Sequence, residues 1–304
     1  MKVKATVIIP THNHGQTIKY SLESALKQSF RELEVFIIGD GVSRKTAAFI
    51  NQLARKDKRV TFFNFPKGPG HGETYRHQVI KKATGKIICY LSDDDLWFKN
   101  HVQLMFNLLN KANLGHTLPT RVNPNGEIIT VEVNLRNKVY QNYLKNKRNY
   151  FPLSSVGHTT ELYLTLPFGW RTAPLNTFSD VHMWRQFFDH PKCKPANLNQ
   201  TTTLHFPDYE RKDWPLQKRL QELNFWSKKL TDFKKFTKFY IPILSFKSDQ
   251  GARFKIHNYI KPTGLENLFP KLLRFLPKRP MLRIFNISFL NLAFRRLSKL
   301  VLKA

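Results

Sequence analysis

The chain has 304 residues, 41% hydrophobic and 13% aromatic, which is enough apolar material for a real core and argues against global disorder. Fifty Lys and Arg against 21 Asp and Glu leave a net charge of +29, which calls for a polyanionic partner: nucleic acid, an anionic membrane or phosphorylated substrates. Two cysteines, Cys89 and Cys193, give no disulfide framework and fit a reducing compartment, and no stretch of about 18 apolar residues is present to span a bilayer.

In chain order, Met1 to Lys4 run straight into ATVIIP (5–10), a buried strand too short for a secretory signal core. A helix follows over 17–28, with Ile18, Leu22, Ala25 and Leu26 on one face. The pattern then repeats: strand 34–41, helix 44–56, strand 59–65. A Gly/Pro-rich loop, PKGPGHG (66–72), leads to helix 73–84, closed by Gly85, then strand 86–91 and helix 100–112. Such alternation with short connections predicts an α/β fold with an open parallel sheet and helices on both faces. After residue 113 the alternation stops. A hairpin around Asn123-Pro124-Asn125-Gly126 (120–134), a helix at 179–190 and a strand at 200–206 are the elements read there. From about 216 on, basic-aromatic helical segments are expected, broken by prolines at 242, 262, 270, 277 and 280.

Open parallel sheets bind ligands outside the carboxyl ends of their strands. Three short stretches fall there: Pro10-Thr11-His12-Asn13, Asp40-Gly41 and Asp93-Asp94-Asp95. Three adjacent carboxylates make a hard, oxygen-rich site suited to Mg²⁺ or Mn²⁺; a helix N-cap before 100–112 accounts for one Asp but not for three. Asp40 reads as a turn residue between Gly39 and Gly41, or as an acceptor for the N3–H of uracil. Arg76 is a surface charge or a contact to a nucleotide base or phosphate. His12 and His14 read as capping or solvated rather than ligating. GPGHG (68–72) lacks the Lys-Ser/Thr of a phosphate-binding P-loop.

Taken together and in order, VIIPTHN, VFIIGDG and TYRHQVIKKATGKIICYLSDDD resemble the GT-A-fold family-two glycosyltransferases, strongly over 3–110 and weakly over 150–215. The resemblance implies a GT-A (nucleotide-diphospho-sugar transferase) fold. Its doubly wound, mostly parallel sheet spans a catalytic domain at 1–215, with a nucleotide-binding half (1–112) and an acceptor half (113–215). A basic, mainly helical extension occupies 216–304. The resemblance also assigns roles. Pro10 and Thr11 line the nucleotide pocket, Asp40 holds the uracil, Arg76 flanks the base, Asp93 approaches the ribose, and Asp94 binds a Mn²⁺ or Mg²⁺ ion at the diphosphate. Gly39 and Ser92 stand where many members have aspartates, so the metal motif is open by one residue among Asp93, Asp94 and Asp95. FSDVHMWRQF (178–187) resembles the family's Glu-Asp-x-x-x-Trp segment, making Asp180 the base and Trp184 an acceptor contact; on residues alone Ser179 or Asp180 is an N-cap. His205 resembles a late histidine that completes the metal shell, or is a satisfied strand-end histidine.

The function implied is inverting, metal-dependent transfer from a nucleotide-sugar, a UDP-sugar, to an envelope glycan or lipid-linked acceptor. A nucleic-acid-binding protein leaves the acid cluster unexplained, so no nucleic acid is expected; a GT-A scaffold without chemistry is the other alternative. Residues 267–304 carry nine Lys/Arg and no acid, interleaved with apolar residues. This pattern predicts an in-plane amphipathic helix, from about 281 to 303, on an anionic membrane surface, with the enzyme peripheral on the cytoplasmic face. The bland reading is a helix docked on the catalytic domain.

Overall fold

The computed structural model describes residues 2–118, 120–146, 151–230, 241–247, 251 and 253–259. Its chain opens as expected. The first strand, β1 (Ala5–Thr11), is followed by α1 (Ile18–Leu26), β2 (Leu33–Asp40), α2 (Arg44–Ala54), β3 (Val60–Phe65), α3 (Glu73–Ile80) and β4 (Ile87–Tyr90). A two-residue strand, β5 (Leu96–Trp97), precedes α4 (His101–Leu109). Local signals fix these boundaries. Ser43 Oγ caps α2 by accepting the Thr46 N–H (3.1 Å). At Gly85 a Cβ would lie 2.5 Å from Thr6 N, so only glycine lets the α3–β4 turn press against β1.

Beyond 113 the structure holds more than the sequence pattern announces. It contains β6 (Leu114–Leu118), the hairpin β7 (Thr120–Val122) and β8 (Ile128–Val131), α5 (Lys138–Asn146), β9 (Val156–Thr159), α6 (Thr160–Leu164) and α7 (Ser179–Asp189). The strand expected at 200–206 is two: β10 (Pro195–Thr201) and β11 (Thr203–Leu204). They part at Thr202, which is buried against His101 (2.7 Å) and pairs in neither ladder.

The main sheet has the order β10-β6-β9-β4-β1-β2-β3, and every strand but β9 runs the same way. The doubly wound, mostly parallel sheet is therefore present. Ala5, Val7, Ile8 and Ile9 are fully buried because β1 is central and covered on both faces. One face packs Ile8, Ile38 and Tyr90 with α3 and α7; the other packs Val7, Ile9 and Ile37 with α1 and α4. The chain switches sides at β1/β4, the topological switch point where such folds bind ligands.

In the extension expected to be mainly helical, the described residues form α8 (Leu216–Lys229) and two strands, β12 (Ile241–Lys247) and β13 (Arg253–Tyr259). The turn between these strands passes through Gly251 at φ +80, and β13 pairs with β8 in a second antiparallel sheet. Leu223 and Trp226 of α8 share a third core with Leu96, Val122 and Phe206. Contacts thus join α8 and β13 to the preceding residues. One compact unit runs Met1–Lys261, past the boundary expected at 215. The expected membrane-surface helix at 281–303 lies outside the described residues. Among the described residues no helix is long and apolar enough to cross a membrane.

Candidate active site

Strand ends build the site. Thr11 closes β1, and its hydroxyl donates to Asp93 Oδ2 (2.5 Å), which lies just past β4, so the switch point is tied across by one hydrogen bond. Pro10 precedes it, half-buried. His12 Nδ1 lies 2.5 Å from the Asp40 carbonyl oxygen at the end of β2. Asp40, Thr11 and Asp93 therefore stand side by side on one edge of the sheet, as the carboxyl-end argument requires.

The three adjacent carboxylates have three different fates. Asp95 is structural: its oxygens accept from Ser154 Oγ (2.5 Å), the Phe206 N–H (2.9 Å) and His205 Nδ1 (3.0 Å). Burial pushes the Asp95 carboxyl up, but His205 and these donors outweigh it and hold the group below its ordinary range. Asp93 is held by Thr11 and by His14 Nδ1 (2.7 Å). Asp94 Oδ2 accepts from the Arg219 guanidinium (2.5 Å). Burial, then the neighbouring Asp95 charge, push the Asp94 carboxyl up to about 7, while His14 and Arg219 pull against that rise. Mutual repulsion is thus met by a different set of partners at each acid.

Two of those partners were not singled out from the sequence. His14, read there as capping or solvated, bridges Asp93 and Asp208 (Nε2 to Oδ1, 3.1 Å). The charge of Asp93 first, then hydrogen bonds to Asp208 and Asp93, raise its pKa to about 11 against burial. Asp208 is lowered to about 2, first by its hydrogen bond to His14 and also by Arg219. The i, i+2 histidines gave a faint signal for His14; nothing local marked Arg219, which lies 125 residues from Asp94.

On the β2 side, Asp40 Oδ1 accepts the Gly68 N–H (2.6 Å) and Oδ2 accepts from Lys67 Nζ (2.7 Å). The glycine-rich loop therefore folds onto a carboxylate, in keeping with its failure to match a P-loop. Gly72, at φ +70, starts α3 against the Asp40 side chain; a Cβ there would lie 2.9 Å from Asp40 Cβ and Cγ. Arg76 on α3 is buried. Its guanidinium donates to the His71 carbonyl (2.8 Å) and stacks 4.7 Å from the Trp170 ring centre. Burial draws its pKa below the ordinary range, opposed first by Asp180 and then by Glu73. That interaction puts Asp180, half-buried in the first turn of α7, in the electrostatic field of the same site.

Trp184 corrects an expectation. It is 2% exposed, packs edge-on against Tyr90, Trp170 and Phe151, and donates its indole N–H to the Phe151 carbonyl (3.2 Å). One turn along α7 from Asp180 is the core face, so Trp184 supports the site from beneath and offers no surface to an acceptor. His205, read as a metal-shell histidine or a satisfied strand-end one, turns its Nδ1 to Asp95.

Among the described residues, the group whose ligand atoms all lie within 4.8 Å of one another is His14, Asp93 and Asp94. Two buried carboxylates and one imidazole fit a divalent cation such as Mn²⁺ or Mg²⁺, provided that His14 gives up its proton and Asp94 shares with Arg219.

The described geometry agrees with what comparison with known proteins finds. A glycosyltransferase of Rickettsia bellii, named as uncharacterized, is 34% identical over 128 residues, covering 41% of this chain and 18% of its own length. The Escherichia coli UDP-Glc:alpha-D-GlcNAc-diphosphoundecaprenol beta-1,3-glucosyltransferase WfgD is 26% identical over 109 residues, 36% of this chain and 42% of its own length. The matched part thus spans less than half of either relative. Staphylococcus aureus TarS 1–349, solved in complex with UDP-GlcNAc, superposes with a TM-score of 0.54 over 75% of this chain and 66% of its own, at 15% identity, which establishes a common fold. The family model described as Glycosyl transferase family 2 matches residues 6–164, more than half of the chain, and the chain belongs to that family.

Proposed function

We propose that the chain transfers a sugar from a UDP-sugar to a hydroxyl of an envelope glycan or lipid-linked acceptor, with inversion at the anomeric carbon. The observation that carries this reading is the gathering of Asp40, Thr11, Asp93 and Asp94 on one edge of the sheet, with Arg76 and Asp180 bearing on it electrostatically. The relatives add support: WfgD is named for a UDP-Glc donor and a diphosphoundecaprenol-linked acceptor, and TarS was solved with UDP-GlcNAc.

Each residue then has a task. Pro10 and Thr11 line the nucleotide pocket. Asp40 accepts the uracil N3–H; each of its oxygens already holds one donor but has a second lone pair to offer. Arg76, pre-set on Trp170, flanks the base, and Asp93, fixed by Thr11, approaches the ribose. Asp94, with Asp93 and His14, would hold a Mn²⁺ or Mg²⁺ ion, which when bound stabilises the charge of the departing diphosphate. Asp180 takes the proton of the acceptor hydroxyl as that oxygen attacks, a direct displacement that inverts configuration. The basic residues of 267–304 attach the enzyme to an anionic leaflet, peripheral on the cytoplasmic face, where a lipid-linked acceptor is within reach.

A hydrolysis and transfer screen over nucleotide-sugars, with and without Mn²⁺, tests the reading. One or more UDP-sugars should be consumed, faster with the metal. Asp180→Asn should lower turnover by about 10²-fold or more with UDP affinity unchanged. Absence of both binding and consumption across all nucleotide-sugars would refute the assignment.

A further inference from the structure

Five side chains close a circuit of charge at the acid cluster. His14 joins Asp93 to Asp208, and Arg219 joins the same Asp208 oxygen (2.5 Å) to Asp94 Oδ2 (2.5 Å). Asp208 and Arg219 lie beyond residue 164, outside the segment that the family model matches. Arg219 is brought in by α8, is 7% exposed, and keeps its charge because a guanidinium does not deprotonate in proteins. The oxygen it holds, Asp94 Oδ2, also lies 3.9 Å from His14 Nδ1, inside the cluster of candidate metal ligands. A dication there and the guanidinium in its present place would be like charges at close range in a buried setting, so the two compete for Asp94.

We infer that Arg219 is a built-in counter-cation of this site. It neutralises Asp94 when no dication is bound, yields that carboxylate to the metal, and binds the diphosphate of the donor with the freed edge of its fork. The last role rests on the reading of the chain as a nucleotide-sugar enzyme. The chemistry suits the residue, because a planar guanidinium matches two phosphate oxygens at once, which an ammonium does not. Asp208, whose side chain is 54% exposed, keeps hold of the other guanidinium nitrogen, so releasing Asp94 does not set the arginine adrift.

The test compares the full-length wild type with Arg219→Gln and Arg219→Lys. Mn²⁺ binding is followed by the spin-resonance signal of the free ion, and UDP and uridine binding by calorimetry at saturating Mn²⁺. Arg219→Gln should bind Mn²⁺ about tenfold more tightly, since a competing charge is gone, and UDP at saturating Mn²⁺ about tenfold more weakly, with uridine unaffected. Arg219→Lys, which keeps the charge but loses the fork, should fall between. A folded Arg219→Gln with wild-type affinity for both Mn²⁺ and UDP would reduce Arg219 to a pin for α8 and overturn the inference. Should that variant fail to fold, Arg219→Lys decides: weakened UDP binding at saturating Mn²⁺ supports the role, and wild-type binding overturns it. If the wild type takes up Mn²⁺ but no uridine nucleotide, the nucleotide-sugar reading fails and the diphosphate role with it, while the Mn²⁺ comparison still judges the counter-cation.

Discussion

Asp94→Asn keeps the size of the side chain and removes the charge that Arg219 neutralises. Repulsion among three adjacent carboxylates, taken alone, predicts that losing one of them relieves strain. The pairing with Arg219 opposes that relief, but the guanidinium keeps Asp208, so the net change should be a loss of no more than about 1 kcal/mol. Urea unfolding measures that loss, and calorimetry should show that Mn²⁺-dependent UDP binding is gone. Trp184→Ala should likewise be a stability variant, losing about 3–5 kcal/mol in the same unfolding assay as its aromatic neighbours lose a partner. Its KM for acceptor, in whatever fraction stays folded, should not move. Both residues show what is legible at this scale. The acids were readable because charge repulsion makes their adjacency anomalous. Their partners were not, because His14 is ordinary in its own neighbourhood and Arg219 is remote. Trp184 sits at the position that the motif gave it, but Tyr90 and Trp170, distant in sequence, decide which way its ring faces.

Elements of the first half were legible because each strand is an apolar run covered on both faces and bounded by glycine, proline or polar turns. Strand β9, VGHT, has none of that signature, and β6 carries Gly115 where the sheet meets α4. A Cβ at Gly115 would stand 2.8 Å from Met105 Sδ, and one at Gly157 2.7 Å from Met105 Cγ, so both strands trade β-forming side chains for room beneath one methionine. Close approach of this kind leaves no periodicity to read. The start of α3 carries a test at the same scale. Gly72→Ala forces a side chain into the left-handed region and against Asp40, and should cost about 1–3 kcal/mol by urea unfolding. It should also weaken UDP binding, because Asp40 must shift. Gly126→Ala, in the β7–β8 turn at φ +85, is the matched control: similar backbone strain with UDP affinity intact.

Across the whole molecule, stability should depend on three buried neutral histidines. Burial lowers His101 and His116 to about 3 and His158 to about 4. Between the ordinary value of 6.5 and these depressed values the unfolded chain binds protons that the folded chain refuses, so stability falls as pH falls, by about 1.4 kcal/mol per pH unit for each histidine. Asp94, raised to about 7, works in the opposite sense over part of that window, leaving a net acid loss smaller than the sum of three. Urea midpoints between pH 7 and pH 5 should show this slope. His116→Phe should flatten it by about one histidine's share. That ring already stacks on Phe151 (4.4 Å), and among the described residues neither of its nitrogens has a hydrogen-bond partner. The charge of +29 was equally plain in the sequence, but what it binds was not, because twelve of its Lys and Arg lie from 251 onward, most of them outside the described residues.

The circuit that joins Asp93 and Asp94 to Asp208 and Arg219 has a consequence for the order of synthesis. A ribosome delivers Asp95 110 residues before His205 and longer still before Arg219. At about 5–20 residues per second, Asp94 and Asp95 wait on the order of 5–20 seconds for Arg219 and His205. During that interval β1 and β4 can pair and Thr11 and His14 can take Asp93, yet Asp94 and Asp95 still lack Arg219 and His205. Any dication in the surroundings reaches those carboxylates first, and the arginine that later competes for them comes second.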